Sequence, residues 1–391
     1  MPRAPRSILV SAGEASGDYY AAELVRELRR RWPDCKFFGC AGPHLREAGV
    51  DAVIRSEDLS VVGIVEVIGH LPRIWRLFRQ LIRVAALRKP DLAILTDSPD
   101  FHLRAARKLK RLGIPVVYFV APQVWAWRKG RVKTMRRVID QLLCIFPFEE
   151  AFFRQHGVPV TYIGHPLTTR VRPTLAREEF FRKHNLVEGR PLVAVLPGSR
   201  RSEALRHLPE LVRATEILGK DRPLTFILPA SPTCGAAFFF ERLADTPIQA
   251  IEGEAWDAMA HCDVALAASG TVTVEAALLG APMVTFYRVS GVSWAIGRLL
   301  VDVPFYSMVN LIAGKKIVPE LMQNEMTSER MAAETVRLLD DEGERAKMKE
   351  ELGRVAALLS GSVVDPGVVN PGIDAIVQAA DTAERVLKVS K

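Results

Sequence analysis

The chain has 391 residues, 49% hydrophobic and 25% charged, with 53 Lys and Arg against 45 Asp and Glu for a net charge of +8. That length exceeds one ordinary core, so two domains are expected, and the basic excess points to an anionic partner: a phosphorylated substrate, a membrane surface or nucleic acid. The 5 scattered cysteines, with no C-x-x-C pair, exclude a disulfide framework and a zinc site, and no uncharged apolar stretch is long enough to span a bilayer.

A strand over Ser7–Ser11 follows the first residues with no signal-peptide core, so a cytoplasmic protein with at most a peripheral membrane contact is expected. The loop Ser11-Ala-Gly-Glu-Ala-Ser-Gly-Asp18 then leads into a helix over Tyr19–Arg31. Gly13 and Gly17 do not make G-x-G-x-x-G, which argues against a dinucleotide fold. Glu14, Ser16 and Asp18 among small residues fit a hydroxyl-binding pocket; they fit equally a capping loop with Asp18 in the first helical turn.

After a strand at Lys36–Cys40, the stretch Ile64–Leu87 is an amphipathic helix. Ile64, Ile68, Leu71, Trp75, Phe78 and Ile82 share one stripe, and Arg73, Arg76, Arg79 and Arg83 share another side. Packing on a sheet and insertion at an anionic bilayer face both produce that pattern. Strand Leu92–Thr96 ends at Asp97, where a carboxylate can take a proton from a sugar hydroxyl, while Asp100 behind Pro99 reads as the cap of a helix over Leu103–Leu112. Strand Val116–Val120 runs into Trp125 and Trp127, aromatics suited to stacking on a sugar or an acyl chain and equally to core packing. A helix over Arg131–Val138 and a strand over Gln141–Ile145 follow. A domain boundary is expected at Ile163-Gly-His-Pro-Leu167 and the polar Thr168–Arg182.

In the second half, strands are expected at Leu192–Leu196, Leu224–Leu228, Ile248–Ile251, Val264–Ala267 and Met283–Phe286, with helical, charged sequence from Glu325 to the end. The first of these strands enters Pro197-Gly198-Ser199 with Arg200 and Arg201 opening a helix; cations are disfavoured at that pole, so an anionic partner is implied. The fourth enters Ser269-Gly270-Thr271, where free N–H groups, two hydroxyls and a glycine suit a phosphate, and Glu275 one turn on suits a ribose hydroxyl. An ordinary capped helix is the plainer alternative. Neither turn is a G-x-x-x-x-G-K-[ST] loop. This alternation of strand and helix makes the fold class α/β: two doubly wound, Rossmann-like domains, 1–165 and 166–391, facing a central cleft lined by their strand-to-helix loops.

Taken in order, Ala12-Gly-Glu-Ala-Ser-Gly-Asp18, Thr96-Asp-Ser-Pro-Asp-Phe101, Val124-Trp-Ala-Trp127, Ile163-Gly-His-Pro-Leu167, Leu196-Pro-Gly-Ser-Arg200, Ala268-Ser-Gly-Thr271 with Glu275, Asn310-Leu-Ile-Ala-Gly314 and Val318-Pro-Glu-Leu-Met-Gln323 resemble the lipid-A-disaccharide synthase family, inverting glycosyltransferases of the GT-B type. The resemblance implies transfer of a sugar from UDP-2,3-diacylglucosamine to 2,3-diacylglucosamine 1-phosphate, giving a β-1,6 disaccharide and UDP, with no metal or cofactor. It implies Asp97 as general base, Arg200 on the donor's phosphates beside Gly198 and Ser199, and Ser269, Gly270, Thr271 and Glu275 around the UDP, with Asn310 and Gln323 nearby. It also favours the membrane reading of Ile64–Leu87, on an N-terminal domain that takes the acceptor. Two departures stand out: Thr169 replaces an acidic residue common after G-H-P-L, and Gly361–Gly372 is unlike the usual C-terminus. Other readings are a UDP-N-acetylglucosamine 2-epimerase, which needs no acylated acceptor, a peripheral lipid-binding protein, which leaves both phosphate turns unexplained, and a nucleic-acid-binding protein, for which no basic-aromatic module is found. A homo-oligomer is compatible with the sequence.

Overall fold

Strands such as Leu92–Thr96 and Leu192–Leu196 are apolar at every position and buried throughout, the mark of parallel strands covered by helices on both faces. The computed structural model describes residues 4–59, 64–291, 294, 297, 303–361, 363–365, 368–369 and 374–389. It divides into two units, Met1–Pro166 with Leu359–Lys391, and Leu167–Leu358.

The first unit is built on a parallel sheet in the order β3-β2-β1-β4-β5-β6-β7. Its strands are β1 (Ser7–Ala12), β2 (Lys36–Ala41), β3 (Asp51–Arg55), β4 (Leu92–Thr96), β5 (Val116–Phe119), β6 (Gln141–Cys144) and β7 (Val160–Tyr162). The helices between them are α1 (Ala15–Arg31), α2 (Pro43–Glu47), α3 (Ile64–Arg88), α4 (Pro99–Arg111), α5 (Val132–Val138) and α6 (Pro147–Gln155). Apolar side chains of α3, α4 and α5, among them Phe78, Leu81, Leu103, Leu109 and Met135, pack with those of the sheet into one core.

In the second unit the parallel order is β10-β9-β8-β11-β12-β13. These strands are β8 (Leu192–Leu196), β9 (Thr225–Ala230), β10 (Ile248–Glu252), β11 (Val264–Ala268), β12 (Met283–Tyr287) and β13 (Glu320–Met322). Helices α7 (Arg177–Lys183), α8 (Arg201–Lys220), α9 (Ala236–Leu243), α10 (Ala255–His261) and α11 (Thr271–Leu278) are followed by Met308–Ala313, Ser328–Asp340 and Glu342–Leu359.

Each sheet reverses its strand order once, between β1 and β4 in one unit and between β8 and β11 in the other. Loops leaving two such strands diverge and open a crevice at the sheet's carboxyl edge, where ligands of this architecture bind. Register fixes which loops meet: Ala12 pairs with Thr96, and Leu196 with Ala267.

Two edge strands escape the sequence reading. Asp51–Arg55 begins and ends on a charge, and Glu320–Met322 is only 3 residues long, so neither produces a clean apolar run. A division into 1–165 and 166–391 also leaves the last helix with the second domain, whereas Ala375–Val389 belongs to the first unit. Its small stripe, Ala375, Ala379, Ala380 and Ala383, is buried and lets the helix approach closely, and Arg31 on α1 bonds Asp381 at 2.6 Å. Half of the stretch 361–372 lies outside the described residues.

Candidate active site

Asp97 follows β4 directly at the first unit's switch point, and both it and Ser98 have left-handed backbones, φ +54 and +36. Side chains rarely adopt that conformation, and two in succession store strain that neighbouring contacts must hold. Three side chains supply the hold. Tyr118 on β5 donates its hydroxyl proton to the Asp97 carbonyl, and His102 Nδ1–H donates to the same oxygen at 2.9 Å. His102 Nε2 in turn accepts from the Ser11 hydroxyl at 2.7 Å; burial pushes the imidazole's pKa down to about 4, which keeps it neutral, and the carbonyl facing Nδ1 fixes the tautomer.

So held, the Asp97 carboxylate turns into the N-terminus of α1. Oδ1 accepts from Gly13 N–H at 2.8 Å and Oδ2 from Glu14 N–H at 3.1 Å. Burial pushes the carboxyl up to about 8, with the Glu14 charge adding to the rise and the two backbone donors opposing it. A carboxylate of that basicity is a competent proton acceptor near pH 8. Gly17 permits the approach, because a Cβ there would lie 1.7 Å from Oδ2.

Around this carboxylate, Glu14 and Ser16 are exposed at the start of α1. Asp18 stands in the first turn of α1, as one of the two sequence readings has it, but its fully buried side chain accepts from Gly42 N–H at 2.7 Å and His44 N–H at 2.8 Å and so caps α2. Asp100 lies in the first turn of α4 and pairs with Arg128 and Arg131. The two tryptophans differ in environment. Trp125 donates its indole N–H to Glu149 at 2.9 Å, and burial pushes that carboxyl up to about 8. Trp127 is exposed.

At the second unit's switch point, β8 runs into Gly198, Ser199 and Arg200. Gly198 has φ +116, and a Cβ on it would lie 2.4 Å from Glu203 Oε2. Glu203 reaches back from the first turn of α8 to accept from Ser199 N–H at 3.1 Å and from the Tyr287 hydroxyl at 2.7 Å. His207 ties this loop to the end of β12, donating from Nδ1 to Pro197 O at 2.8 Å and accepting from Arg288 N–H at 3.1 Å. Arg201 is occupied, donating to Cys234 O at 3.2 Å, whereas the exposed Arg200 guanidinium makes no hydrogen bond or ion pair among the described residues.

The neighbouring loop holds Ser269, Gly270 and Thr271 at the N-terminus of α11, which has no side-chain cap. The Ser269 hydroxyl does not donate outward: its proton is committed to Tyr306 O at 2.9 Å. Gly270 and Thr271 are exposed, leaving the N-terminal N–H groups of α11 accessible. Glu275 is hydrogen-bonded by the Trp256 side chain, and burial raises its carboxyl pKa.

Asn310 is corrected from contact residue to staple. Fully buried, it donates to Val318 O at 3.0 Å and Glu320 Oε1 at 2.8 Å and accepts from Ile317 N–H at 2.7 Å and Val318 N–H at 3.0 Å, so its whole amide capacity is spent on the turn before β13. Gln323 differs. Its Oε1 accepts from Val289 N–H at 3.2 Å, but its buried Nε2 has no partner among the described residues and suits an acceptor on a ligand or water. Sequence pattern alone gave no signal for Tyr118, His102 or His207, whose roles depend on strand order; Glu203, three residues past the helix N-cap, carried the spacing of a capping acid.

No helix among the described residues is long and apolar enough to cross a membrane. In α3, Phe78, Leu81 and Ala85 pack inward, whereas Trp75 is 52% exposed and stacks on Phe78 at 5.3 Å. Arg76, Arg79 and Arg83 are exposed around it. The side chains of Ile64, Ile68 and Leu71 lie outside the described residues.

The model of one protein family, lipid-A-disaccharide synthetase, matches residues 8–363. A lipid-A-disaccharide synthase of Solibacter usitatus is 61% identical over 375 residues, covering 96% of this chain and 98% of that one. The enzyme of that name from Myxococcus xanthus is 45% identical over 359 residues, covering 91% and 94%. Among solved structures, the glycotransferase of kitacinnamycin superposes with a TM-score of 0.68 at 17% identity, covering 98% of this chain and 100% of that one, which bears on the fold alone. Two parallel-sheet α/β units of the GT-B type, each reversing its strand order once, and a family match over nearly the whole length lead to one conclusion: the chain belongs to the lipid-A-disaccharide synthase family.

Proposed function

We propose that this glycosyltransferase moves 2,3-diacylglucosamine from its UDP ester onto O6 of 2,3-diacylglucosamine 1-phosphate, with Asp97 as general base. The O6 proton passes to the Asp97 carboxylate as O6 attacks the donor's anomeric carbon. The bond from that carbon to the UDP oxygen breaks, and its electron pair leaves on the β-phosphate. A single displacement inverts the configuration and gives a β-1,6 link.

The first unit supplies the base and the second receives the leaving group. Arg200, Gly198 and Ser199, with Gly270, Thr271 and the N-terminus of α11, offer a guanidinium and fixed N–H donors to a diphosphate whose charge grows as the bond breaks. In this reading Gln323 Nε2 finds its missing acceptor on the nucleotide, Glu275 turns to the ribose, and Glu14 and Ser16 border the acceptor. The single observation that carries the proposal is Asp97: a nearly buried carboxylate raised to about 8, held by a strained backbone at a switch point.

The exposed Trp75 among Arg76, Arg79 and Arg83 supports docking of α3 on an anionic membrane face, where the acylated substrates reside. The protein then works at the inner leaflet without spanning it. Incubation with both lipid sugars tests the reaction. The expected products are a tetraacyl disaccharide 1-phosphate and one equivalent of UDP by mass spectrometry; UDP release without disaccharide, or no consumption of the donor, contradicts it.

A further inference from the structure

Trp127, Arg128 and Arg131 lie on the segment between β5 and α5, and neither guanidinium has a role in the chemistry above. Both are placed against the Trp127 ring, the Arg128 carbon at 4.5 Å from the centroid and that of Arg131 at 5.8 Å. Both also converge on one carboxylate. Arg128 Nη1 is 3.2 Å from each oxygen of Asp100, and Arg131 Nη2 bonds Oδ1. Asp100 is 68% exposed and carries one charge against two, so this pairing is weak and solvent-screened. Arg131 is only 15% exposed, its guanidinium already set by packing. Two planar forks over an aromatic platform, one of them set by packing and both half-neutralised by an exposed side chain, suit a dianion better than a carboxylate.

Arg131 is also near the base: its charge acts on the Tyr118 hydroxyl, which bonds Asp97 O. Asp100 follows Asp97 by three residues, a chain span of at most about 11 Å. One pyranose ring separates the reacting O6 of the acceptor from its anomeric phosphate.

We propose that Arg128 and Arg131, seated on Trp127, form the subsite for the acceptor's 1-phosphate, the phosphate monoester taking the place of Asp100 between them. The monoester carries close to two negative charges at pH 7 and three acceptor oxygens. The inference rests on the proposed reaction and names how it selects a phosphorylated acceptor.

The test is a ratio: kcat/KM for 2,3-diacylglucosamine 1-phosphate over that for the 1-O-methyl glycoside lacking the phosphate. In Arg131→Gln and in Arg128→Gln, whose side chain is half-exposed, the ratio falls about 10- to 100-fold from native. Two results overturn the proposal: a ratio that stays within twofold of native, or a variant whose only loss is sedimentation with phosphatidylglycerol vesicles, which reassigns the arginines to a lipid headgroup. Native protein that makes no disaccharide defeats the reaction itself; native turnover with an unmoved ratio defeats the subsite alone.

Discussion

A Cβ on Gly17 would lie 1.7 Å from Oδ2 of Asp97, so the first turn of α1 and the proposed base share space that only a glycine leaves open. Glycine inside a helix usually costs stability, and alanine there adds about 0.5–1 kcal/mol. Here the exchange pushes the carboxylate off the two N–H groups that hold it. Gly17→Ala is expected to lower kcat about 100-fold, the effect of a reacting group misplaced by roughly an ångström. Steady-state kinetics alongside thermal melting checks it, and a well-folded variant with native kcat contradicts it.

Tyr118 and His102 restrain the Asp97 carbonyl from two sides. Tyr118→Phe leaves His102 in place and removes one donor, at a stability cost of about 1 kcal/mol. Because the released residue is strained, kcat is expected to fall about tenfold while KM for the UDP-sugar stays level. A variant that loses stability but keeps native kcat shows that the hydroxyl serves packing only.

Glu149 is buried beneath Trp125 with its pKa raised to about 8, against an ordinary glutamate value near 4.5. Between those values the unfolded chain has released a proton that the folded one retains. Its contribution is therefore full below about pH 4.5 and is lost as pH rises toward 8, at about 1.4 kcal/mol per pH unit. Glu149→Gln cannot ionise, so its melting temperature relative to native is expected to climb steadily from pH 5 to pH 8. Parallel melting curves for the two proteins across that range contradict a buried, protonated Glu149.

Arg200 at the N-terminus of α8 has no ion-pair partner among the described residues, while Arg201 is tied to Cys234 O. Arg200→Ala is expected to weaken UDP binding about 10- to 100-fold by calorimetric titration, the worth of charge-assisted bonds to a phosphate. Affinity within twofold of native removes Arg200 from the diphosphate.

The sequence makes the buried inner strands and both strand-to-helix turns of the second half legible, because fully buried strands read as unbroken apolar runs and helix starts carry small, polar residues. Asp97 is legible for the same reason: it ends such a run. Its neighbours are not. Ser11, His102 and Tyr118 come from β1, α4 and β5, and only the order β1-β4-β5 brings His102 and Tyr118 to one carbonyl with Ser11 behind His102. Asn310 shows the converse limit, a polar residue in a matching segment whose four hydrogen bonds all turn inward. The C-terminal helix escapes assignment because an alanine stripe says that a surface is close and not which one.

The pH dependence of kcat/KM, measured for the native protein and for Asp97→Asn, tests the role of Asp97 most directly. Native activity is expected to rise with pH through about 8, as the buried carboxyl ionises, and then to level off. Asp97→Asn is expected to fold normally, to turn over about 10²–10⁴ times more slowly and to lose that rise. A variant within tenfold of native that keeps the same rise contradicts Asp97 as the base.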